Sequence, residues 1–202
     1  AYLPIALLQA GKIDYAVAGE VNEGPYAAAK AMIEQYNLQG RIQLRLGNGL
    51  EVIYPGEVDT VVVAGMGGST IIDILSRYPA TTRSLRRLIL QPMTGGAAVR
   101  FWLRDNGWRI EDEELVIEQG HIYEIIAAIQ GSEPDWEPIL AEIGPVIWAR
   151  RHPLLKEHLK RLIERTRRVI VQMSASAEAR SSQQYQDYQV KLQQLEGKYQ
   201  CL

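Results

Sequence analysis

The sequence predicts an α/β fold: a mostly parallel sheet with helices on both faces, closed by an antiparallel hairpin and followed by an antiparallel, coiled-coil-like helix pair. Three observations carry this. Over the first 130 residues, segments of helical period alternate with short extended ones, the pattern of parallel strands joined by crossover helices. Val58–Ala64 (VDTVVVA) is β-branched and almost wholly apolar, as a strand covered on both faces must be. From Leu154 onward only Gly197 interrupts helix-forming sequence.

The elements follow in order. The chain opens inside a helix (AYLPIALL) that Gly11-Lys12 would end, since glycine tolerates the left-handed turn after a last helical residue. Tyr15–Val21 is a short apolar strand, and residues 25–37 form an alanine-rich helix. Ile42–Leu46 alternates strictly and reads as a strand. After Val58–Ala64 come a helix over 69–78, the strand Leu88–Gln91 ended by Pro92, and a helix over 96–106. Trp108–Gln119 and Ile122–Ile129 flank Gln119-Gly120 and read as an antiparallel hairpin. A strand should precede the first helix; it is absent from this sequence, and it is expected to lie upstream of Ala1.

Residues 131–145 hold three prolines and two glycines and read as an irregular linker. Beyond them, Leu155, Leu159, Leu162, Thr166, Val169 and Met173 form one seam, and Tyr185, Tyr188, Leu192, Leu195 and Tyr199 a second. The Ser-rich stretch 174–182 is the turn between them. One long dimerising helix is the alternative. The domains are therefore 1–149, the α/β part, and 150–202, the helical tail.

The chain has 202 residues, a net charge of −2, 47% hydrophobic and 23% charged residues. These values exclude a disordered or fibrous class. The lone Cys201 excludes an intrachain disulfide and a thiolate metal cluster, and fits a reducing compartment. No apolar run approaches the ~18 residues of a membrane span. The small net charge conceals a division. Residues 1–149 hold 11 basic and 19 acidic side chains, and residues 150–173 hold eight basic against two acidic. An acidic body with a basic helix suggests a polyanionic partner, or else a salt-bridged helix face.

Ligands of open α/β sheets bind at the carboxyl ends of the strands. Three such ends are chemically distinctive here. Ala18-Gly19-Glu20-Val21-Asn22 places a carboxylate where nucleoside cofactors present ribose hydroxyls; a solvent-exposed strand end is the alternative. Leu46-Gly47-Asn48-Gly49-Leu50 offers an amide able to pair with an adenine edge, or is a plain turn. Ala64-Gly65-Met66-Gly67-Gly68 reads as a glycine-rich loop offering backbone N–H groups at a helix start. It lacks the lysine and hydroxyl of a triphosphate loop. His121, His152 and His158 have no metal spacing, and Glu111–Glu114 reads as a solvated strand edge, so no metal is expected.

Taken together, GEVN, GNGL, AGMGG, LILQP and YEII (123–126) resemble the bacterial tRNA adenine-N1 methyltransferases that act on position 22. The resemblance runs into the tail and covers most of the chain. It implies a Rossmann-like class I methyltransferase domain, S-adenosylmethionine as cofactor, tRNA as partner, a cytoplasmic location and a monomer or weak dimer. By resemblance, Gly19 and Glu20 would bind ribose, with Val21 and Asn22 completing that loop. Gly47, Asn48 and Gly49 would flank the adenine, and Ala64, Gly65, Met66 and Gly67 would line the methyl-transfer side. Tyr2 and Leu3 belong to the motif AYLPI, whose preceding turn would hold the methionine end of the cofactor and the acidic residues closest to the chemistry. Gln91 and Pro92 would meet the target base, where Met93 replaces the expected Asn. Lys160, Arg161, Arg165 and Arg168 would contact tRNA phosphates. Tyr2, Tyr54 and Tyr78 are candidates to stack on the base. A methyltransferase for another substrate and a nicotinamide-dependent oxidoreductase remain alternatives.

Overall fold

The structure, a computed structural model, describes all 202 residues. The chain divides into two compact units, Ala1–Asp59 with Asp73–Leu85, and Thr60–Ile72 with Arg86–Leu202.

The first unit contains helix α1 (Tyr2–Gln9), strand β1 (Ala16–Glu20), helix α2 (Glu23–Gln35) and strand β2 (Ile42–Leu46). Gly11 closes α1 at φ +63°, as its sequence position requires. β1 and β2 are parallel and in register from Ala16↔Ile42 to Glu20↔Leu46. Ile5 and Leu8 of α1, Ile33 of α2 and Ile42 of β2 bury against one another and form this unit's core.

Strand β3 (Thr60–Gly67) of the second unit runs directly into helix α3 (Gly68–Arg77), whose last turns belong to the first unit, as does helix α4 (Pro79–Ser84). The second unit continues with strand β4 (Arg87–Thr94), helix α5 (Gly96–Asp105) and the hairpin β5 (Trp108–Glu118) and β6 (His121–Gln130). The strand order is β3-β4-β6-β5, parallel between β3 and β4 and antiparallel thereafter. Leu88, Leu90, Val99, Leu103 and Ile126 are fully buried around this sheet.

Three expectations are corrected. Ala64–Gly67 is not a loop. It continues β3 and pairs with Gln91–Thr94 through two register shifts, with Gly65 at φ +74°. A residue without Cβ takes that left-handed conformation at little cost, so the strand bulges instead of ending.

The acidic run is a solvated edge except at Glu113: β5 is the edge strand, and Glu111, Asp112 and Glu114 reach solvent while Glu113 is buried. A register shift between Ile110 and Asp112 inserts one residue in β5. That single insertion exchanges the faces of the strand and turns Glu113 and Leu115 inward. Each acid then has its own partner: Glu111 pairs with Arg87, Asp112 with Arg150 and Glu113 with Arg100, while Glu114 meets the His152 ring.

The segment 131–145 is not wholly irregular. It contains helix α6 (Leu140–Ile143) and leads into α7 (Pro145–Ala149). Pro145 occupies the first turn of α7, where its missing N–H is harmless. The Glu113 carboxylate accepts the next two amides, from Val146 (2.8 Å) and Ile147 (3.3 Å).

The tail folds as helices α8 (Leu155–Ser174), α9 (Ala177–Arg180) and α10 (Gln183–Gln200). Lys156 near the start of α8 lies over the Tyr199 ring near the end of α10, and Arg167 pairs with Glu196, so the pair is antiparallel. Both predicted seams are turned from solvent. Leu155, Leu159, Leu162 and Leu195 share one core with Leu115, Ile139, Ile143 and Ile147. No helix is long and apolar enough to cross a membrane.

His158 of α8 is buried, and its Nε2 has no hydrogen-bond partner. Burial holds its pKa below the ordinary 6.5; Glu124 opposes that shift, and Arg100 and Arg165 reinforce it. The unfolded chain therefore binds the proton more readily, and stability falls as pH drops through 6.5. Denaturant unfolding between pH 5.5 and 7.5 is expected to show this slope, at most about 1.4 kcal/mol per pH unit for one group. His158→Leu is expected to flatten it, and an unchanged slope in that variant assigns the dependence elsewhere.

Candidate active site

In the first unit the site is built at the carboxyl ends of β1 and β2. The pairing Glu20↔Leu46 brings both ends to one level. The Gly47 amide then donates to the Glu20 carbonyl at 2.8 Å, tying the two turns together. The Glu20 carboxylate, half-buried, has neither an ion pair nor a hydrogen bond within the protein. Asn22 stands at the N-cap of α2 with its side chain unused as a cap. Val21 beside it is exposed.

Gly19 and Gly47 are set by one neighbour. A Cβ on Gly19 would lie 2.8 Å from Val52 Cγ2, and one on Gly47 would lie 2.7 Å from Val52 Cγ1. Gly49 takes φ +61° at the start of the short 3-10 turn Gly49–Val52. Glu51 stabilises this corner: Asn48 N–H donates to its Oε1 at 2.5 Å, and Tyr78 O–H to its Oε2 at 2.9 Å. The Asn48 amide and the Tyr78 hydroxyl lower the Glu51 pKa, and the same bond raises that of Tyr78. Tyr78 is thus committed to the loop. Tyr2 and Tyr54 are 80% and 73% exposed, and Arg45 lies 5.5 Å from the Tyr54 ring centre. Leu3 is also exposed, one residue into α1.

In the second unit the site lies where β3 meets β4. The Gly65 amide donates to Gln91 Oε1 at 2.8 Å, and Gln91 Nε2 contacts Met93 Sδ at 3.5 Å. Gln91 thus holds the bulge that presents Met66 and Gly67, while Pro92 is buried beneath it. A Cβ on Gly68 would lie 2.5 Å from the Gly95 carbonyl oxygen. The start of α3 and the turn before α5 therefore touch backbone to backbone. Met93, in place of the expected Asn, is exposed and contributes no amide to this rim.

Of the basic residues singled out on α8, Arg161 is engaged: it donates to Glu157 at 2.9 Å and to the Gly120 carbonyl at 2.6 Å, anchoring the hairpin tip. Lys160, Arg165 and Arg168 are exposed and carry no ion pair. Sequence reasoning did not single out Thr94–Gly96, Glu142 or Lys191. These residues share a cleft of about 230 Å³ with Glu124 and Arg165. The adjacent glycines at 95 and 96 were the available signal.

The residues present suit an adenosine-containing cofactor. An unpaired carboxylate at the end of β1 is free to accept hydrogen bonds from two hydroxyls, and the glycine turn after β2 carries an exposed amide side chain.

Comparison with known proteins agrees with this reading. The family model described as TrmK, tRNA (adenine(22)-N(1))-methyltransferase, matches residues 1–197. The tRNA (adenine(22)-N(1))-methyltransferase of Bacillus subtilis is 31% identical over 189 residues, spanning 91% of this chain and 79% of that one. The crystal structure of Streptococcus pneumoniae Sp1610 superposes with a TM-score of 0.87 at 32% identity, covering 98% of this chain and 88% of the other. The same protein in complex with S-adenosyl-L-methionine superposes with a TM-score of 0.85 at 31% identity, covering 98% and 87%. The chain belongs to the tRNA (adenine(22)-N(1))-methyltransferase family.

Proposed function

We propose that this chain methylates N1 of an unpaired adenine in tRNA, with S-adenosylmethionine as the methyl donor. The family match supports the reaction. The observation that carries the site is the free Glu20 carboxylate level with the Gly47-Asn48-Gly49 turn. When bound, the cofactor supplies an electrophilic sulfonium methyl. Glu20 accepts hydrogen bonds from the ribose hydroxyls, with Gly19, Val21 and Asn22 shaping its loop. Gly47, Asn48 and Gly49 flank the adenine ring, and Tyr2 and Leu3 contribute from the cofactor side.

Ala64, Gly65, Met66 and Gly67 line the methyl-transfer side, held by Gln91, and Gln91-Pro92 borders the target base. Adenine N1 carries an in-plane lone pair, so no protein group has to remove a proton first. The chain's contribution is then alignment and exclusion of water. A paired N1 is inaccessible, so the base enters unpaired or flipped. A tRNA substrate implies a cytoplasmic location, and we read the working form as a monomer or weak dimer.

The reaction is tested by incubating tRNA with the protein and S-adenosylmethionine and analysing its nucleosides. N1-methyladenosine is expected; N6-methyladenosine or an unmodified tRNA overturns the reading.

The tail, residues 150–202, supplies the RNA contacts in this reading. Because reversing Arg161 would also free the hairpin tip, the variant of choice is Lys160→Glu with Arg168→Glu. Its tRNA affinity is expected to fall at least about tenfold at physiological salt, with a shallower salt dependence. Its S-adenosylmethionine affinity is expected to stay unchanged. Equal tRNA affinity removes these side chains from the interface.

A further inference from the structure

The cleft of about 230 Å³ in the second unit joins the carboxyl end of β4 to both long helices of the tail. Its charged groups are not all paired with one another. Glu124 is held by the buried Arg100 at 2.8 Å, and Glu142 is paired with Lys191. Arg165 lines the same cleft without a carboxylate partner. Arg165 is therefore the one charged lining group outside an ion pair, although the lining as a whole is neutral, with two carboxylates and two cations.

The β4–α5 side of the lining is bare at two positions. Gly95 and Gly96 present no side chain, and position 96 has little room for one. A Cβ there would lie 3.1 Å from Glu124 Oε2 and 3.3 Å from Arg100 Nη1. The space equals roughly eight waters' share of liquid volume. It suits one backbone phosphate with part of its sugar, not a duplex. Lys160 and Arg168 do not line it.

Resting on the function proposed above, we infer that this cleft receives the tRNA backbone phosphate next to the target adenosine, and that Arg165 grips it. The cleft begins at Pro92–Gly96, directly beyond Gln91, whose side chain holds the β3 bulge. A phosphate bound there sits within one nucleotide of a base at that bulge. Arg165 is thus a positioning residue: it fixes the register of the strand and so decides which adenine reaches the methyl.

The test combines the protein change with a change in the RNA. The wild type and Arg165→Ala are assayed on native tRNA and on tRNA with a single neutral methylphosphonate linkage 5′ or 3′ of the adenosine that the wild type methylates. With the wild type, one of the two linkages is expected to lower kcat/KM about tenfold or more, as loss of a charged hydrogen-bonding partner does. Arg165→Ala is expected to lose a similar factor on native tRNA and nothing further on that modified RNA. Lys160→Ala is expected to lose factors that multiply with the linkage. Multiplying losses in Arg165→Ala, or no loss from either linkage in the wild type, overturn the assignment. A wild type that methylates no tRNA at N1 overturns the function itself, a separate result.

Discussion

Arg100→Met is expected to destabilise the second unit by about 3–5 kcal/mol, the usual cost of removing one partner from a buried ion pair. Arg100 is fully buried between two carboxylates, donating to Glu113 at 2.6 Å and Glu124 at 2.8 Å, and also to the Ala141 carbonyl at 2.8 Å. Burial alone would lower its pKa; Glu113 and Glu124 outweigh that and raise it. Without the guanidinium, the Glu113 carboxylate stays buried, held only by the two α7 amides and its neighbouring chain. α6 also loses its bond from Arg100. Equilibrium unfolding in urea measures the effect. Arg100→Met combined with Glu113→Leu should recover only part of the loss, because it leaves the α7 amides unsatisfied. A change below about 1 kcal/mol in the single variant would show that the site relaxes or admits water, contrary to the packing described.

Glu20→Ala carries the second large effect, on binding and not on folding. A ribose diol donates two hydrogen bonds to one carboxylate, and bonds to charged groups contribute about 1.5–3 kcal/mol each. Allowing for strained geometry and residual solvation, about 2–4 kcal/mol is lost. That is roughly 30- to 1,000-fold in the dissociation constant of S-adenosylmethionine. Glu20 has no partner within the protein, so the unfolding midpoint without ligand should move little. Calorimetric titration reads both: a variant that binds as tightly as the parent removes Glu20 from the ribose site. Titration with NAD alongside separates the nicotinamide alternative.

Much of the architecture was legible because it is written in local period. The strict alternation of Ile42–Leu46, the apolar run before Ala64 and the two tail seams each state their structure within a few residues. The Gly19-Glu20 and Gly47–Gly49 ends were legible for the same reason, since turn chemistry is local.

What escaped depends on distance. α7 follows a proline-rich stretch, and its amides are satisfied by a carboxylate 33 residues earlier. The inward turn of Glu113 depends on a bulge that no residue in the acidic run announces. Ala64–Gly67 looked like a loop because glycines suggest one, yet a Gln91 side chain from the next strand keeps it in the sheet. The cleft beside Gly96 takes its walls from six elements, and only the folded chain brings Glu124, Glu142, Arg165 and Lys191 together.

The capping of α7 by Glu113 also makes one short helix dependent on a distant strand. A helix of five residues is far below the length that persists alone in water. Its first amides are satisfied by the carboxylate that the β5 bulge turns inward. Ile147 packs in the core that the tail helices complete. Leu115 of the hairpin lies in the same core. The hairpin, the short helix and the tail therefore depend on one another through a single carboxylate and a shared core.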